Sequence, residues 1–254
     1  MLSGIFHPKN GKPNEERPVA DQVTQPVTSS PKLLGHLLDA NKAWAKQKQA
    51  ENPGLFETLA QGQAPEIMYI GCSDSRVPPT EIVGLGPGDM FVHRNIANTF
   101  TTSDLNLLSV LQYAVEALKV KHIVVCGHYN CGGVHAALSD QQLGLLDNWL
   151  QPIKDFYMEH RRRVEAVKDP KEKVDLMCEL NVLRTVRGVC HTNIVRNAWK
   201  KGQDLTVHAW VYRLSDGQIR DLKMDVSSSE QVDPTFEQVL SSRIKPAYVD
   251  EHKA

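Results

Sequence analysis

Two short segments of the chain carry side chains that could bind a metal ion. Residues 72–76 (CSDSR) offer a thiol, a carboxylate and a guanidinium, and residues 127–133 (GHYNCGG) offer an imidazole and a second thiol. Zinc binds sulfur, imidazole nitrogen and carboxylate oxygen, and a catalytic zinc keeps three protein ligands with a fourth position for water or substrate. The predicted ligands are Cys72, His128 and Cys131, with Asp74 either as a fourth ligand or beside the metal.

Each segment follows an apolar run that is typical of a β-strand. Residues 67–70 (IMYI) precede Cys72, and residues 122–125 (HIVV) precede His128. Open α/β sheets bind ligands at the carboxyl ends of their strands, so we expect both segments in loops at the ends of adjacent parallel strands. The glycines around Cys131 indicate tight backbone geometry, and a helix that begins there would favour the thiolate.

Asp74 and Arg76 share the first segment and could form an ion pair. An exposed loop pair would contribute only about 0–1 kcal/mol to stability and would need no function. Proximity to Cys72 favours a functional interpretation, in which Arg76 holds the carboxylate of Asp74 through two hydrogen bonds.

The other three cysteines lack the spacing of metal ligands. Cys126 lies within the second apolar run, and Cys178 and Cys190 fall in a helical segment. His191 is adjacent to Cys190 and would point in another direction on a helix. Because free cysteines commonly serve as small apolar side chains, we interpret these three as core residues.

Hydrophobic periodicity and turn residues predict the elements that position these segments. They indicate an α/β fold with a central, mostly parallel sheet that has an antiparallel edge, flanked by helices, and with an amino-terminal helical arm. The predicted helices are 32–50, 104–119, 145–167 and 171–201; the predicted strands are 67–70, 90–93, 122–126, 206–214 and 218–226. Asp104 is the expected cap of its helix.

Composition and charge exclude several classes of protein. The chain has 254 residues and a net charge of -1, without the basic stripe of a nucleic-acid binder and without an apolar run of about 18 residues that would span a membrane. The polar amino terminus predicts neither a secretory signal nor a mitochondrial presequence, so we expect a cytoplasmic protein. The predicted domains are a flexible extension (1–31), a catalytic domain (32–228) and a tail (229–254).

These motifs resemble those of the β-class carbonic anhydrases, in particular the bacterial and fungal members. The resemblance covers residues 32–228 and rests on long motifs in order: CSDSRVPP, FVHRNIAN, the segment from LNLLSVLQYAVEALKV to HYNCGGV, CELNVL and VHAWVYRLSDGQIRDL. It implies one zinc ion per chain, held by Cys72, His128 and Cys131, with a dyad of Asp74 and Arg76. The implied enzyme is a lyase in which zinc-bound hydroxide converts CO2 reversibly to bicarbonate and a proton.

The resemblance also implies a substrate cleft and self-association. An apolar cleft, much of it at a subunit interface of a dimer or tetramer, suits uncharged CO2. The cleft residues that it implies are Gln63, Phe91, Ile96 and Tyr113. An inhibitory bicarbonate site found in some bacterial relatives would involve Tyr69, Arg94 and Tyr212, but Tyr69 replaces the tryptophan of that pattern, and Arg94 could instead tie a loop. Candidate proton shuttles are His93 and His135.

Two other functions remain open from the sequence. The first is a non-catalytic, zinc-containing module that binds or senses bicarbonate, with Asp74 as a fourth ligand of a closed site. The second is a hydrolase of the same fold that acts on CS2 or COS. Arg76 favours a catalytic site, because a purely structural zinc site would not need a group to hold Asp74 away from the metal. Neither nucleic acid nor a membrane is an expected partner.

Overall fold

The computed structural model describes residues 34–244, which form two compact units, residues 34–63 and residues 64–244. The predicted extension 1–31 and the end of the predicted tail lie outside the described residues. Within them, no helix combines the length and the apolar character needed to cross a bilayer.

The first unit consists of two helices, α1 (Gly35–Glu51) and α2 (Leu55–Ala60). Gly54 makes the turn between them at a positive φ of 88°, a backbone conformation that glycine adopts without steric cost. The ring of Trp44 contacts that of Phe56 edge-on, with centroids 5.9 Å apart. The predicted amphipathic helix is therefore present as α1, and its apolar residues are exposed in the unit: Leu37, Leu38 and Trp44.

The second unit is built on a five-stranded sheet with the strand order β2-β1-β3-β4-β5. The strands are β1 (Ile67–Cys72), β2 (Met90–Asn95), β3 (His122–His128), β4 (Thr206–Arg213) and β5 (Gln218–Val226). The first four are mutually parallel, and β5 pairs antiparallel with β4 at the edge. Almost every residue of β3 is buried, as expected for a parallel strand covered on both sides. The predicted fold class is confirmed.

Six helices accompany this sheet among the described residues. They are α3 (Leu105–Gln112), α4 (Gly132–Ala137), α5 (Leu145–Val164), α6 (Pro170–Cys190), α7 (Asn193–Lys200) and α8 (Val232–Arg243). Asp104 caps α3 as predicted, because its side chain accepts hydrogen bonds from the backbone N–H groups of Asn106 and Leu107. A π-helical turn, Tyr113–Ala117, continues α3 toward the residues predicted as its end.

The single helix predicted over residues 171–201 is wrong, since the structure has two helices there. α6 ends at Cys190, and Thr192 adopts an extended conformation from which its hydroxyl accepts a hydrogen bond from the N–H of Val195. Threonine favours such a cap over a position within a helix, and this local preference overrides the continuous helical periodicity. Gly202 ends α7 at a positive φ of 74°, as the sequence predicted.

Helix α6 lies at the centre of the core and contacts β3 and β4. Apolar side chains on most of its faces are fully buried, for example Met177, Leu180 and Val186. α8 packs against α6 and β5, with Phe236 and Leu240 in the same core. The second unit therefore continues past residue 228, although the sequence of this segment is mostly polar.

Candidate metal centre

The carboxyl ends of β1 and β3 bring the predicted metal ligands together. Cys72 is the last residue of β1, His128 is the last residue of β3, and Cys131 is the N-cap of α4. Since β1 and β3 are adjacent and parallel, both strands end at the same edge of the sheet. One potential ligand atom from each of these buried residues lies within 4.8 Å of the others, and among residues 34–244 no other group of three or more metal-binding side chains does so.

The geometry of this cluster fits a zinc ion. The sulfurs of Cys72 and Cys131 are 3.9 Å apart, and two thiolates bound to one tetrahedral zinc at 2.3 Å lie about 3.8 Å apart. His128 Nδ1 lies 3.1 Å from the carbonyl oxygen of Tyr129, and its Nε2 is buried without a hydrogen-bond partner. Donation from Nδ1 leaves a lone pair on Nε2, the arrangement that a metal-bound histidine requires.

The two thiols of the cluster are electrostatically linked. A hydrogen bond with Cys131, together with the nearby His128, lowers the pKa of Cys72 well below its ordinary value. The same contact and complete burial raise the pKa of Cys131. The pair therefore loses one proton readily and retains the second, because the first thiolate disfavours another negative charge beside it.

Asp74 lies beside the cluster and is held by Arg76. Arg76 donates from Nε to Oδ1 of Asp74 at 2.9 Å and from Nη2 to Oδ2 at 2.7 Å, and its backbone N–H also donates to Oδ1 at 2.9 Å. These contacts lower the pKa of Asp74 to about 2. One oxygen of Asp74 lies 3.6 Å from His128 Nε2, so the carboxylate faces the space in front of the unpartnered nitrogen.

Arg94 holds the backbone of the first segment. It donates from Nε to the carbonyl oxygen of Cys72 at 2.7 Å and from Nη2 to that of Asp74 at 2.5 Å. This contact ties the loop, one of the two roles considered for Arg94. The hydroxyl of Tyr69 is buried without a partner, and Tyr212 packs against the small apolar cluster that contains Tyr69.

Ile96, a predicted cleft residue, lies on a turn with unusual backbone geometry. The next two residues, Ala97 and Asn98, have positive φ angles of 60° and 42°. In a residue other than glycine, each such backbone conformation costs on the order of 1–3 kcal/mol of conformational free energy. The turn begins beside the metal cluster, because the N–H of Ser73 donates to the carbonyl oxygen of Asn95 at 2.9 Å. Ile96 itself is 44% exposed.

Helix α6 holds this turn through side chains that the sequence analysis did not identify. Asn181 donates to the carbonyl oxygen of Ala97 at 2.7 Å, and the hydroxyl of Thr185 donates to that of Asn98 at 3.1 Å. Both side chains are completely or almost completely buried. Polar residues within an otherwise apolar helix can be recognised in the sequence. The carbonyl groups that accept their hydrogen bonds cannot, because those groups belong to a distant turn.

Two other predicted cleft residues of the second unit, Phe91 and Tyr113, lie away from the cluster. Phe91 and Tyr113 form an aromatic pair with centroids 5.7 Å apart, and Tyr113 is 49% exposed. In the β1–β2 register Cys72 faces Asn95, and Phe91 precedes Asn95 by four residues, or about 13 Å of strand. Gln63 belongs to the first unit, and its place in a cleft stays a prediction.

Two glycines beside the ligands are required for close packing. A Cβ on Gly127 would lie 2.6 Å from the side chain of Val182, and one on Gly133 would lie 3.0 Å from that of Ala97. Neither glycine has a positive φ; the left-handed residue of this loop is Asn130, with a φ of 55°. The predicted need for glycine here therefore comes from the absence of a side chain and not from an unusual φ.

The candidate proton shuttles differ in exposure. His93 is buried, its Nε2 lies 3.4 Å from the side chain of Asn95, and burial lowers its pKa. His135 is exposed on α4, and its backbone N–H donates to the carbonyl oxygen of Cys131. Neither contact identifies a proton path.

The three cysteines interpreted as core residues are all buried. Burial raises the pKa of Cys126 and of Cys178 to about 12, and it raises that of Cys190 further. They therefore remain protonated, unlike the first thiol of the metal cluster.

The amino-acid sequence matches one family model and several proteins that carry the same description. A family model described as carbonic anhydrase matches residues 67–219. The chain is 49% identical over 189 residues to a carbonic anhydrase of Emericella nidulans, a match that covers 74% of this chain and 83% of the relative. It is 35% identical to a carbonic anhydrase of Candida albicans over 80% of this chain and 73% of that protein.

Solved structures show the same similarity. A tetrameric β-carbonic anhydrase from Sordaria macrospora superposes with a TM-score of 0.73 at 44% identity, over 77% of this chain and 99% of that chain. A Coccomyxa β-carbonic anhydrase in complex with acetazolamide superposes with a TM-score of 0.77 at 37% identity, over 81% of this chain and 95% of that one.

Proposed function

The chain belongs to the β-class carbonic anhydrase family, and we propose that it hydrates CO2 reversibly to bicarbonate and a proton at one zinc ion per chain. The ligands in this proposal are Cys72, His128 and Cys131. The observation that carries it is the buried, unpartnered Nε2 of His128, which faces two thiols and a carboxylate held by an arginine.

Zinc in such a site supplies Lewis acidity that brings the pKa of a water molecule to about 7. The role of Asp74 is to accept a hydrogen bond from the reacting water and so orient it toward CO2. Arg76 keeps this carboxylate ionised and turned toward itself. Because both oxygens of Asp74 already accept hydrogen bonds from Arg76, the carboxylate would orient a water bound beside the three ligands and would leave the fourth position open.

The same contacts argue against the non-catalytic module considered from the sequence. A closed structural zinc site uses four protein ligands, and the cluster within 4.8 Å has three, without Asp74. A fourth position is thus left for water or substrate.

We also propose that a second copy of the chain completes the substrate cleft. Ile96 lies beside the ligand-bearing end of the sheet, whereas Phe91 lies about 13 Å away along β2. Tyr113 pairs with Phe91, and both rings are partly exposed. The Sordaria macrospora relative is tetrameric, which supports self-association here. Light scattering tests this proposal, since a strictly monomeric, fully active enzyme would contradict it.

A cytoplasmic location is a further proposal. The five cysteines of the chain are free in the structure, which suits a compartment that keeps thiols reduced. Cell fractionation with antibodies to the chain would test it, and recovery with an organelle fraction would contradict it.

Stopped-flow CO2 hydration with a pH indicator tests the proposed activity. Zinc-replete protein should turn over rapidly at both about pH 7 and about pH 9, because Asp74 is held away from the metal. Activity only at the higher pH would show that Asp74 occupies the fourth position at neutral pH. No turnover at either pH, with one zinc bound per chain, would favour the binding module or a CS2-type or COS-type hydrolase.

A further inference from the structure

One face of α6 contacts the loop that separates two of the proposed zinc ligands. Tyr129 and Asn130 lie between His128 and Cys131. The backbone N–H of Asn130 donates to Oδ1 of Asp175 at 3.1 Å, and the hydroxyl of Tyr129 donates to Oε1 of Glu179 at 2.5 Å. Residues four apart lie on the same face of a helix, so these two carboxylates form one contact surface.

Two further positions extend the same face along the loop. The carbonyl oxygen of Cys178 lies in contact distance of Gly127, 3.7 Å from a Cβ built there. Val182 packs so closely on Gly127 that a Cβ there would lie 2.6 Å from its side chain. Positions 175, 178, 179 and 182 follow helical spacing, and their contacts extend from residue 127 to residue 130.

Asp175 makes the contact that fixes the backbone of this loop. Asn130 has a φ of 55°, and a left-handed residue outside glycine persists only where its surroundings determine it. The carboxylate that accepts its N–H is nearly buried, with Asp175 9% exposed. The second oxygen of Asp175 accepts from Nη1 of Arg213 at 3.2 Å.

Arg213 connects this carboxylate to the neighbouring aromatic ring. Its guanidinium carbon lies 4.0 Å from the centroid of the Tyr129 ring. The backbone N–H of Tyr129 also donates to the carbonyl oxygen of Tyr212, on the same strand as Arg213. The loop is therefore held from α6 on one side and from β4 on the other.

We propose that Asp175 is a positioning residue for the metal, acting through Asn130 to set the distance and orientation of His128 and Cys131. The proposal rests on the proposed zinc function. Groups that orient ligands without touching the metal typically change metal affinity by 10- to 100-fold when removed. Loss of the Asp175 contact would let the backbone at Asn130 relax, and the two ligands would no longer be fixed relative to each other.

The experiment compares wild type with Asp175→Ala and with a matched control, Asp233→Ala. Asp233 on α8 also pairs with Arg187 of α6 and with His191 just after it, but neither partner lies in the loop of residues 127–131. Zinc release to a chromogenic chelator, the melting temperature and the absorption spectrum of the cobalt-substituted enzyme are measured for each. We expect Asp175→Ala to release zinc about 10- to 100-fold faster than wild type and to alter the cobalt–thiolate absorption.

Asp233→Ala should lower the melting temperature with an unchanged rate of zinc release and an unchanged cobalt spectrum. Asp175→Asn keeps an acceptor oxygen for Asn130 and should release zinc at a rate between those of wild type and the alanine variant. A wild-type release rate in Asp175→Ala, with only a lower melting temperature, would overturn the proposal and leave Asp175 a merely structural residue.

A back-up variant and the zinc content of wild type distinguish failure of this inference from failure of the proposed zinc function. If Asp175→Ala does not fold, Asp175→Asn carries the test, because it weakens the acceptor of the Asn130 N–H and removes the charge that faces Arg213; a wild-type rate of zinc release in that variant would overturn the proposal. A wild-type protein that takes up no zinc would overturn the proposed function and this inference with it, whereas zinc-bound wild type with unaffected variants overturns only the inference.

Discussion

Two aspartate–arginine pairs lie next to the metal cluster, and they differ in how the chain forms them. Asp74 and Arg76 belong to one segment, with the shorter contact of 2.7 Å and a guanidinium that is 53% exposed. Asp175 and Arg213 come from α6 and β4, with a contact of 3.2 Å and an arginine that is 27% exposed. The first pair faces the space where water and substrate would react, whereas the second holds the loop between two ligands.

The first pair is therefore suited to act on the reacting groups, and the second is suited to position the ligands. The two aspartate side chains are almost equally exposed, at 16% for Asp74 and 12% for Asp175, so the difference lies in their arginines and in what each carboxylate faces. Asp74 faces the unpartnered nitrogen of His128, and Arg76 keeps it charged. A carboxylate that fixes a backbone is most effective when buried, because hydrogen bonds strengthen in a low-dielectric environment. Variants at the two pairs should therefore affect different measurements: turnover for the first and metal retention for the second.

The largest expected effect comes from removing one of the proposed ligands themselves. Cys131→Ser should abolish zinc retention and CO2 hydration together, because a hydroxyl replaces the soft thiolate that zinc prefers. Zinc content by atomic absorption and turnover by stopped flow check this expectation. Normal activity in this variant would refute the ligand assignment, and Cys126→Ser is the control because Cys126 is buried away from the cluster.

Asp74→Ala should lower turnover by about 10²- to 10⁴-fold, the usual contribution of a group that directs proton transfer at the reacting atoms, while zinc remains bound. Stopped-flow assays and zinc content distinguish the two effects. Asp216→Ala is a matched control, since Asp216, in the turn between β4 and β5, also pairs with an arginine, Arg220. Full zinc loss in Asp74→Ala would assign this aspartate to the ligands and remove the contrast between the pairs.

Arg76→Met should reduce turnover at about pH 7 more than at about pH 9. Without the guanidinium, Asp74 is free to approach the metal and compete with water, and hydroxide competes better at higher pH. The ratio of turnover numbers at the two pH values measures this effect. An equal loss at both would show that Arg76 acts on something other than the position of Asp74.

A smaller effect is expected on the stability of the protein in acid, where the ion pair of Asp74 and Arg76 should be lost as the pH falls. The pKa of Asp74 is lowered to about 2 from an ordinary value of 3.8, first by its side-chain hydrogen bonds with Arg76. Because the folded-state pKa is depressed, the contribution of the pair is complete above about pH 4 and is lost as the pH falls through about 2. Solvent screening of the exposed guanidinium limits it to the order of 1 kcal/mol.

Urea unfolding of metal-free wild type and Arg76→Met tests this sign. The difference in the free energy of unfolding should be larger at about pH 6 than at about pH 3. A difference that grows on acidification would contradict the depressed pKa of Asp74. Metal-free protein is used because protonation of the thiols would otherwise release zinc and dominate the measurement.

The smallest effect on activity is expected beside the second pair, at the hydrogen bond from Tyr129 to Glu179. Tyr129→Phe removes the hydroxyl that donates to Glu179 but keeps the ring beneath Arg213. The net loss should be about 0.5–1.5 kcal/mol in the free energy of unfolding, typical of one hydrogen bond, and denaturant melts measure it. Turnover should be unchanged, since the backbone contact of Asn130 with Asp175 remains.

The sequence by itself determined the parts of the site that depend on local chemistry. The residue types and spacing of Cys72, Asp74, Arg76, His128 and Cys131 already specified a zinc-type ligand set with an adjacent carboxylate. Continuous apolar runs specified the parallel strands that carry them, and period-3.6 spacing specified the helices, because apolar patterning follows directly from which sides of an element are buried. The family resemblance rested on the same residues, and the comparisons confirm it.

Only the tertiary structure decided which distant groups meet at the site. Asp175 and Asn181 are ordinary polar residues of a helical segment in the sequence, and their partners, Asn130 and Ala97, are tens of residues away. The break at Thr192 likewise came from a cap that competes with helical periodicity. The physical reason is common to these cases: a hydrogen bond between side chain and backbone is set by the approach of two elements, and neither element's own sequence encodes that approach.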